Sequence, residues 1–276
     1  MDREELTRII RRKASLLCVG LDTEEHLLPE PFRDLHHPVR AFNHAIIEAT
    51  HDLAVAYKLN TAFYEARGAE GWQDMESTMA LIRKVGGCFT IADAKRGDIG
   101  NTARQYAEAF LNNLGFDAIT LSPYMGRDSV EPFLGRSGKW AVVLGATSNP
   151  GAEDLQFLPM AGGEPLYRHV LRTVAGWGDP GNIMFVLGGT RPEVIKDARR
   201  AVPSHFFLVP GIGAQGGDLE AVLDAGLNTD GGLLINSSRG ILQAGSGDAA
   251  VPKARQAAKA LQRAMESALR QRGFLG

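Results

Sequence analysis

Short apolar runs and amphipathic helical runs alternate eight times along this 276-residue chain, and nothing else in it restricts the fold as much. The apolar runs fall at 16–22, 53–59, 89–91, 118–122, 140–144, 183–187, 206–209 and 232–236. Helical spacing covers 36–50, 61–85 (interrupted near Gly68 and Gly71), 101–114, 129–134, 165–175, 191–201, 219–225 and 252–270. A strand followed by a helix, repeated eight times, implies parallel strands closed into a (β/α)8 barrel, an α/β fold of the TIM-barrel type. The second strand supports closure. Ala54, Ala56, Lys58 and Asn60 alternate with Val55, Tyr57 and Leu59, so small or polar groups face a crowded interior and bulky ones face outward. An open doubly wound sheet is the alternative, but no G-x-G-x-x-G follows the first strand. The expectation is one domain over 1–276, entered through a short amphipathic helix at 4–12.

A net charge of −2 and a hydrophobic share of 44% suit a cytosolic globular protein with a sizeable core. Near-neutral charge argues against non-specific nucleic-acid binding. No apolar run approaches about 18 residues, so no spanning helix is expected. The first fifteen residues are charged and lack the apolar stretch of a secretory signal. Cys18 and Cys88 fall in strands and read as buried thiols of a reducing compartment. The histidines are scattered and show no metal-ligand spacing, so no metal is expected.

Two stretches carry chemistry. Ile91-Ala92-Asp93-Ala94-Lys95-Arg96-Gly97-Asp98 puts charge at the exit of strand three, the end of a barrel where active sites sit. Residues two apart on a strand share a face, so Asp93 and Lys95 project together, with Asp98 in the following turn. Lys58, at the exit of strand two, points inward beside them. Signs then alternate among two lysines and two aspartates, and a lysine so surrounded stays protonated. Lys95 is therefore a poor Schiff-base nucleophile and a ready proton donor. The second stretch spans exits seven and eight. Gly211, Gly213, Gly216 and Gly217 expose backbone N–H groups, and Ser237, Ser238 and Arg239 stand next to them. Together they suit a phosphate ester.

From Leu16 to Gly240 the chain resembles the orotidine 5′-phosphate decarboxylase family, in its longer bacterial branch. The resemblance is carried by ADAKRGDIGNTA at 92–103, TSNPGA at 147–152, PGIGAQGGD at 210–218 and NSSRG at 236–240. It implies cofactor-free decarboxylation of orotidine 5′-monophosphate to uridine 5′-monophosphate by a cytoplasmic homodimer. Lys95 would protonate C6 of the pyrimidine, and Asp93 would sit against the departing carboxylate. Lys58 would hold Asp93 and a ribose hydroxyl, and Asp22 would bind the ribose. Asp98 and Thr102 would reach across the dimer into the partner's site. Ser148 would bond the pyrimidine edge. Gln215, on a closing loop, and Arg239 would grip the phosphate, next to Gly213 and Ser238.

Two other readings remain at this stage. A magnesium-dependent sugar-phosphate enzyme of the same superfamily needs a carboxylate at the strand-two exit, where this chain has Tyr57-Lys58-Leu59-Asn60. A catalytically silent phosphate-binding barrel would have no use for the Asp-Lys-Asp set.

Overall fold

A computed structural model describes residues 1–212 and 217–275. Its centre is a closed barrel in which each strand pairs in parallel with the next and β1 closes on β8. The strands are β1 (Leu17–Gly20), β2 (Ala56–Asn60), β3 (Phe89–Arg96), β4 (Ala118–Leu121), β5 (Trp140–Ala146), β6 (Ile183–Leu187), β7 (Phe206–Pro210) and β8 (Leu233–Ser237). The helices are α1 (Arg3–Lys13), α2 (Glu30–Arg33), α3 (Pro38–Thr50), α4 (Ala62–Glu65), α5 (Gly68–Val85), α6 (Gly100–Ala107), α7 (Leu166–Ala175), α8 (Pro192–Ala201), α9 (Leu219–Gly226), α10 (Arg239–Leu242) and α11 (Ala250–Gln271). The (β/α)8 expectation is met.

The alternation on β2 sorts the core into two layers. Tyr57 points outward, where its hydroxyl meets that of Thr50 on α3 at 2.8 Å. Lys58 points inward and is 4% exposed. α1 packs against the barrel. Asp2 caps it by accepting from the Glu5 N–H, and Leu6, Ile9 and Ile10, spaced to share one face, are buried. Arg3 anchors it through Asp230 and the carbonyls of Pro180 and Ser204, and Trp140 donates to the Met1 carbonyl. This leaves the carboxyl ends of the strands free to carry a site.

The structure departs from the sequence reading at two places and orders one long loop. The helix expected over 101–114 is α-helical only to Ala107 and continues as a π-helical turn, Glu108–Asn113. Phe110 and Leu111 within that turn are both buried. The segment 129–134 forms two 3-10 turns, Arg127–Ser129 and Glu131–Phe133, the second with Pro132 in its first turn. The long loop after β5 is folded on itself. It holds a 3-10 turn at Pro150–Asp154 and an antiparallel bridge between Pro159 and Pro165. Gln156 clamps the loop to the end of β5, accepting from the Thr147 N–H at 2.7 Å and donating to its hydroxyl at 2.9 Å. Among the described residues no helix is long and apolar enough to cross a membrane.

Candidate active site

Four charged side chains from three neighbouring strand exits form a continuous chain of ion pairs. Lys58 Nζ donates to Asp22 Oδ1 at 3.0 Å and to Asp93 Oδ2 at 3.1 Å. Lys95 Nζ donates to the other oxygen, Asp93 Oδ1, at 2.7 Å. Burial by itself would neutralise Lys58. The Asp22 and Asp93 carboxylates outweigh it and hold the ammonium above the usual lysine range. Burial likewise pushes the Asp93 carboxyl up, but Lys58 and then Lys95 bring it down to about 2. Lys58 and Asp93 are thus fixed as ions, while the Lys95 side chain remains 49% exposed. The sequence reading had Asp98 as the second carboxylate of this array. Within one chain that place belongs to Asp22, because the backbone leaves the barrel after Arg96. Asp98 Oδ1 instead accepts from the Ile99 N–H at 2.8 Å. Thr102, on α6, is exposed.

Asp93 and Lys95 do lie together, though simple strand pleating is not the cause. β3 and β4 are in register at Ala92–Ile119 and again at Arg96–Leu121. Asp93, Ala94 and Lys95 therefore bulge against a single residue, Thr120. Lys95 takes a left-handed backbone conformation, φ +47°, which among the described non-glycine residues is shared only by Ala14 at the end of α1. The sequence reading missed Thr120, since an isolated Thr in an apolar strand gives no signal.

One cavity of about 530 Å³ joins these groups to Ser148, Ser238 and Arg239. Gly211, Ile212 and Ser237 line it on the side expected for phosphate. Gly213, Gln215 and Gly216 lie outside the described residues. Leu144, Val186, Leu208 and Ile212 supply an apolar surface, and Asn60, Thr147, Asn149 and Asn236 add neutral polar groups to which the sequence reading gave no role. Asp98 and Thr102 are not among the lining residues.

Two glycines make room for this arrangement. Ser238 donates to Asp22 Oδ2 at 2.8 Å, so its hydroxyl reaches the carboxylate rather than standing apart on the phosphate side. That approach passes over Gly20, where a Cβ would lie 1.9 Å from Ser238 Oγ. Ser148 is backed by Gly188, where a Cβ would come within 2.8 Å of the serine's backbone nitrogen and its Cβ. Chemically, the cavity offers a held ammonium at one end and a guanidinium with a glycine turn at the other, with a partly apolar wall between. It can bind a dianion remotely and stabilise a second negative charge beside Lys95. Among the described residues, no three His, Cys, Asp or Glu side chains gather in a way that could hold a metal ion.

Known proteins resemble this chain over nearly its whole length. The profile of the "Orotidine 5'-phosphate decarboxylase / HUMPS family" matches residues 15–254. An orotidine 5′-phosphate decarboxylase from Christiangramia forsetii is 48% identical over 270 residues, covering 98% of this chain and 99% of its own. One from Porphyromonas gingivalis is 47% identical over 276 residues, covering 100% of each. Among solved structures, the OMP decarboxylase of Leishmania donovani superposes with a TM-score of 0.84 at 40% identity, covering 97% of this chain and 99% of that one.

Proposed function

The chain belongs to the orotidine 5′-phosphate decarboxylase / HUMPS family, and from that premise we propose how its residues carry out the reaction. It is a carboxy-lyase of pyrimidine biosynthesis. Orotidine 5′-monophosphate loses CO2 from C6, no cofactor takes part, and Lys95 returns a proton to C6 to give uridine 5′-monophosphate. The observation that carries this reading is the Lys95 ammonium, bonded to Asp93 at 2.7 Å, in the same cavity as Arg239.

Loss of CO2 leaves a pair of electrons in the plane of the ring, where no π system can spread it. A cation fixed beside C6 stabilises that charge as it forms and then quenches it by proton transfer. Asp93 faces the leaving carboxylate. Two such charges about 4 Å apart repel by about 4 kcal/mol at an effective dielectric of about 20. Relief of that repulsion supplies about three decades of rate at most, so stabilisation of the carbanion has to be the larger effect. Asp22 and Lys58 bind the ribose, and Ser148 bonds the pyrimidine edge. Arg239 and Gln215, with the backbone at Gly213, hold the phosphate, and the Ser238 hydroxyl steadies the ribose-binding Asp22. Binding energy from that remote group keeps the carboxylate in its unfavourable place. Asp98 and Thr102 complete the partner's site in a homodimer, which accounts for their position off the cavity of their own chain. The setting is cytoplasmic, in keeping with the free, buried Cys18 and Cys88.

Release of CO2 from orotidine 5′-monophosphate by the purified protein in EDTA tests the proposal. Full activity is expected. Activity lost to the chelator would place the chain on a metal-dependent branch instead. Lys95→Ala should abolish release, whereas Arg239→Ala should lower kcat/KM and leave measurable chemistry. Equal residual activity in the two variants would contradict this division of roles.

A further inference from the structure

We propose that Thr120 is a positioning residue for both Lys95 and Asp93, an inference that rests on Lys95 being the proton donor. Thr120 is fully buried and does not line the cavity, so it reaches substrate only through its neighbours. It is the one residue of β4 opposite the three-residue bulge of β3. Through that bulge the regular ladder is interrupted, and the Lys95 N–H finds its acceptor in a side chain. Thr120 Oγ1 accepts from it at 2.9 Å. The same oxygen donates its proton to Asp93 Oδ1 at 3.0 Å, the carboxylate oxygen that also holds Lys95 Nζ.

One hydroxyl therefore fixes the backbone of the lysine and the carboxylate that aims its ammonium. The two bonds have a defined direction: Asp93 is ionised and can only accept, so the hydroxyl must donate to it and offer a lone pair to Lys95. A β-branched side chain holds its χ1 tightly, which suits a group that must point one way. A role as apolar filler explains less. Valine would fill the same volume, and burying a hydroxyl is unfavourable unless it is bonded. Here it is bonded twice, and both bonds end on the charged array.

The test compares Thr120→Val, Thr120→Ser and the unmodified enzyme by kcat and KM for CO2 release. Active sites are counted by calorimetric titration with uridine 5′-monophosphate. Thr120→Val keeps the shape but leaves the Lys95 N–H without its acceptor and Asp93 without one donor. Its kcat per titrated site should fall by about 10- to 100-fold, the scale of a hydrogen bond to a charged group. Its affinity for uridine 5′-monophosphate should stay within about threefold, because the grips on ribose and phosphate are untouched. Thr120→Ser should return kcat to within about threefold of the parent, since it restores both bonds. If Thr120→Val does not fold, Thr120→Ala replaces it under the same criteria. A hydroxyl-free variant with parental kcat per site overturns the proposal, as does a serine variant no better than the valine one. In either case the parent's own activity leaves the Lys95 reading standing. A parent that releases no CO2 overturns that reading and this inference with it.

Discussion

Replacing Lys58 by methionine removes one charge and little volume from the centre of the ion-pair chain. Lys58 Nζ lies 3.0 Å from Asp22 and 3.1 Å from Asp93, and the residue is 4% exposed. Each attraction amounts to about 5 kcal/mol at an effective dielectric of about 20, offset in large part by the desolvation of a buried ammonium. Without the lysine, two carboxylates no more than about 6 Å apart face each other, a repulsion of about 3 kcal/mol at that dielectric. Loss of one partner from a buried charge network costs about 3–5 kcal/mol, and that is the expected fall in unfolding free energy at pH 7. The effect should depend on pH with a definite sign. In the parent, Asp93 is held at about 2 against an ordinary 3.8. It therefore contributes about 2 kcal/mol above pH ~4, lost as pH falls toward 2. In the variant the Asp93 carboxyl rises, so mild acid neutralises a repulsive pair instead of breaking an attractive one. Urea unfolding of both proteins at pH 7 and pH 4.5 should show the deficit shrinking in acid. A deficit below about 1 kcal/mol at pH 7, or one equal at both pH values, would refute the assignment of Lys58 as the hub of the network.

Gly20→Ala should raise KM by about tenfold, because its Cβ displaces the Ser238 hydroxyl from Asp22. Ser238→Ala should do the same, and the double variant should be no worse than either single one; additive losses would show that the two act separately. His205 is 6% exposed with neither ring nitrogen bonded, and burial, with Arg3 and Arg199 nearby, lowers it to about 4. The unfolded chain takes up that proton first, so stability should fall by about 3 kcal/mol between pH 6.5 and pH 4. His205→Phe should lack that component, and a difference between the two unfolding free energies that stays constant over this range counts against it. Coexpressing Lys95→Ala with Asp98→Ala should recover activity toward about a quarter of the parent's, since each mixed dimer then holds one site with neither lesion. Silent mixtures would return Asp98 to its own chain.

The barrel was legible because burial dictates it. Each strand has to hide both faces, and the small-and-bulky alternation of β2 already placed Lys58 inside and Tyr57 outside, where the structure packs it against α3. The charged stretch on β3 was legible for its composition, but its members sorted differently from the reading. Within one chain Asp22 joined the array and Asp98 did not, because membership depends on where the chain turns after Arg96, and spacing alone does not say. The Ser238–Asp22 contact joins residues 216 positions apart. It requires β1 and β8 to pair in one register, with a glycine at position 20. Gly213 and Gln215 were legible as motif residues and lie outside the described residues.

The bulge on β3 shows why the remainder could not be read. Period-two reasoning put Asp93 and Lys95 on one face, yet the strand does not keep that period through them. A regular pleat would point Lys95 as its pairing with β4 dictates and give its N–H a backbone acceptor. The observed φ of +47° gives up both. A non-glycine residue in that region costs about 1 kcal/mol or more and persists only where its surroundings fix it. Here they are the Thr120 hydroxyl on the backbone and Asp93 on the ammonium. Local rules describe the cheapest conformation of a segment, whereas this site needs a particular direction for one cation. The departure from the rule thus falls where the proposed proton donor is held. It also explains how a threonine with no sequence signature comes to be bonded to both the lysine backbone and the aspartate of the charged array.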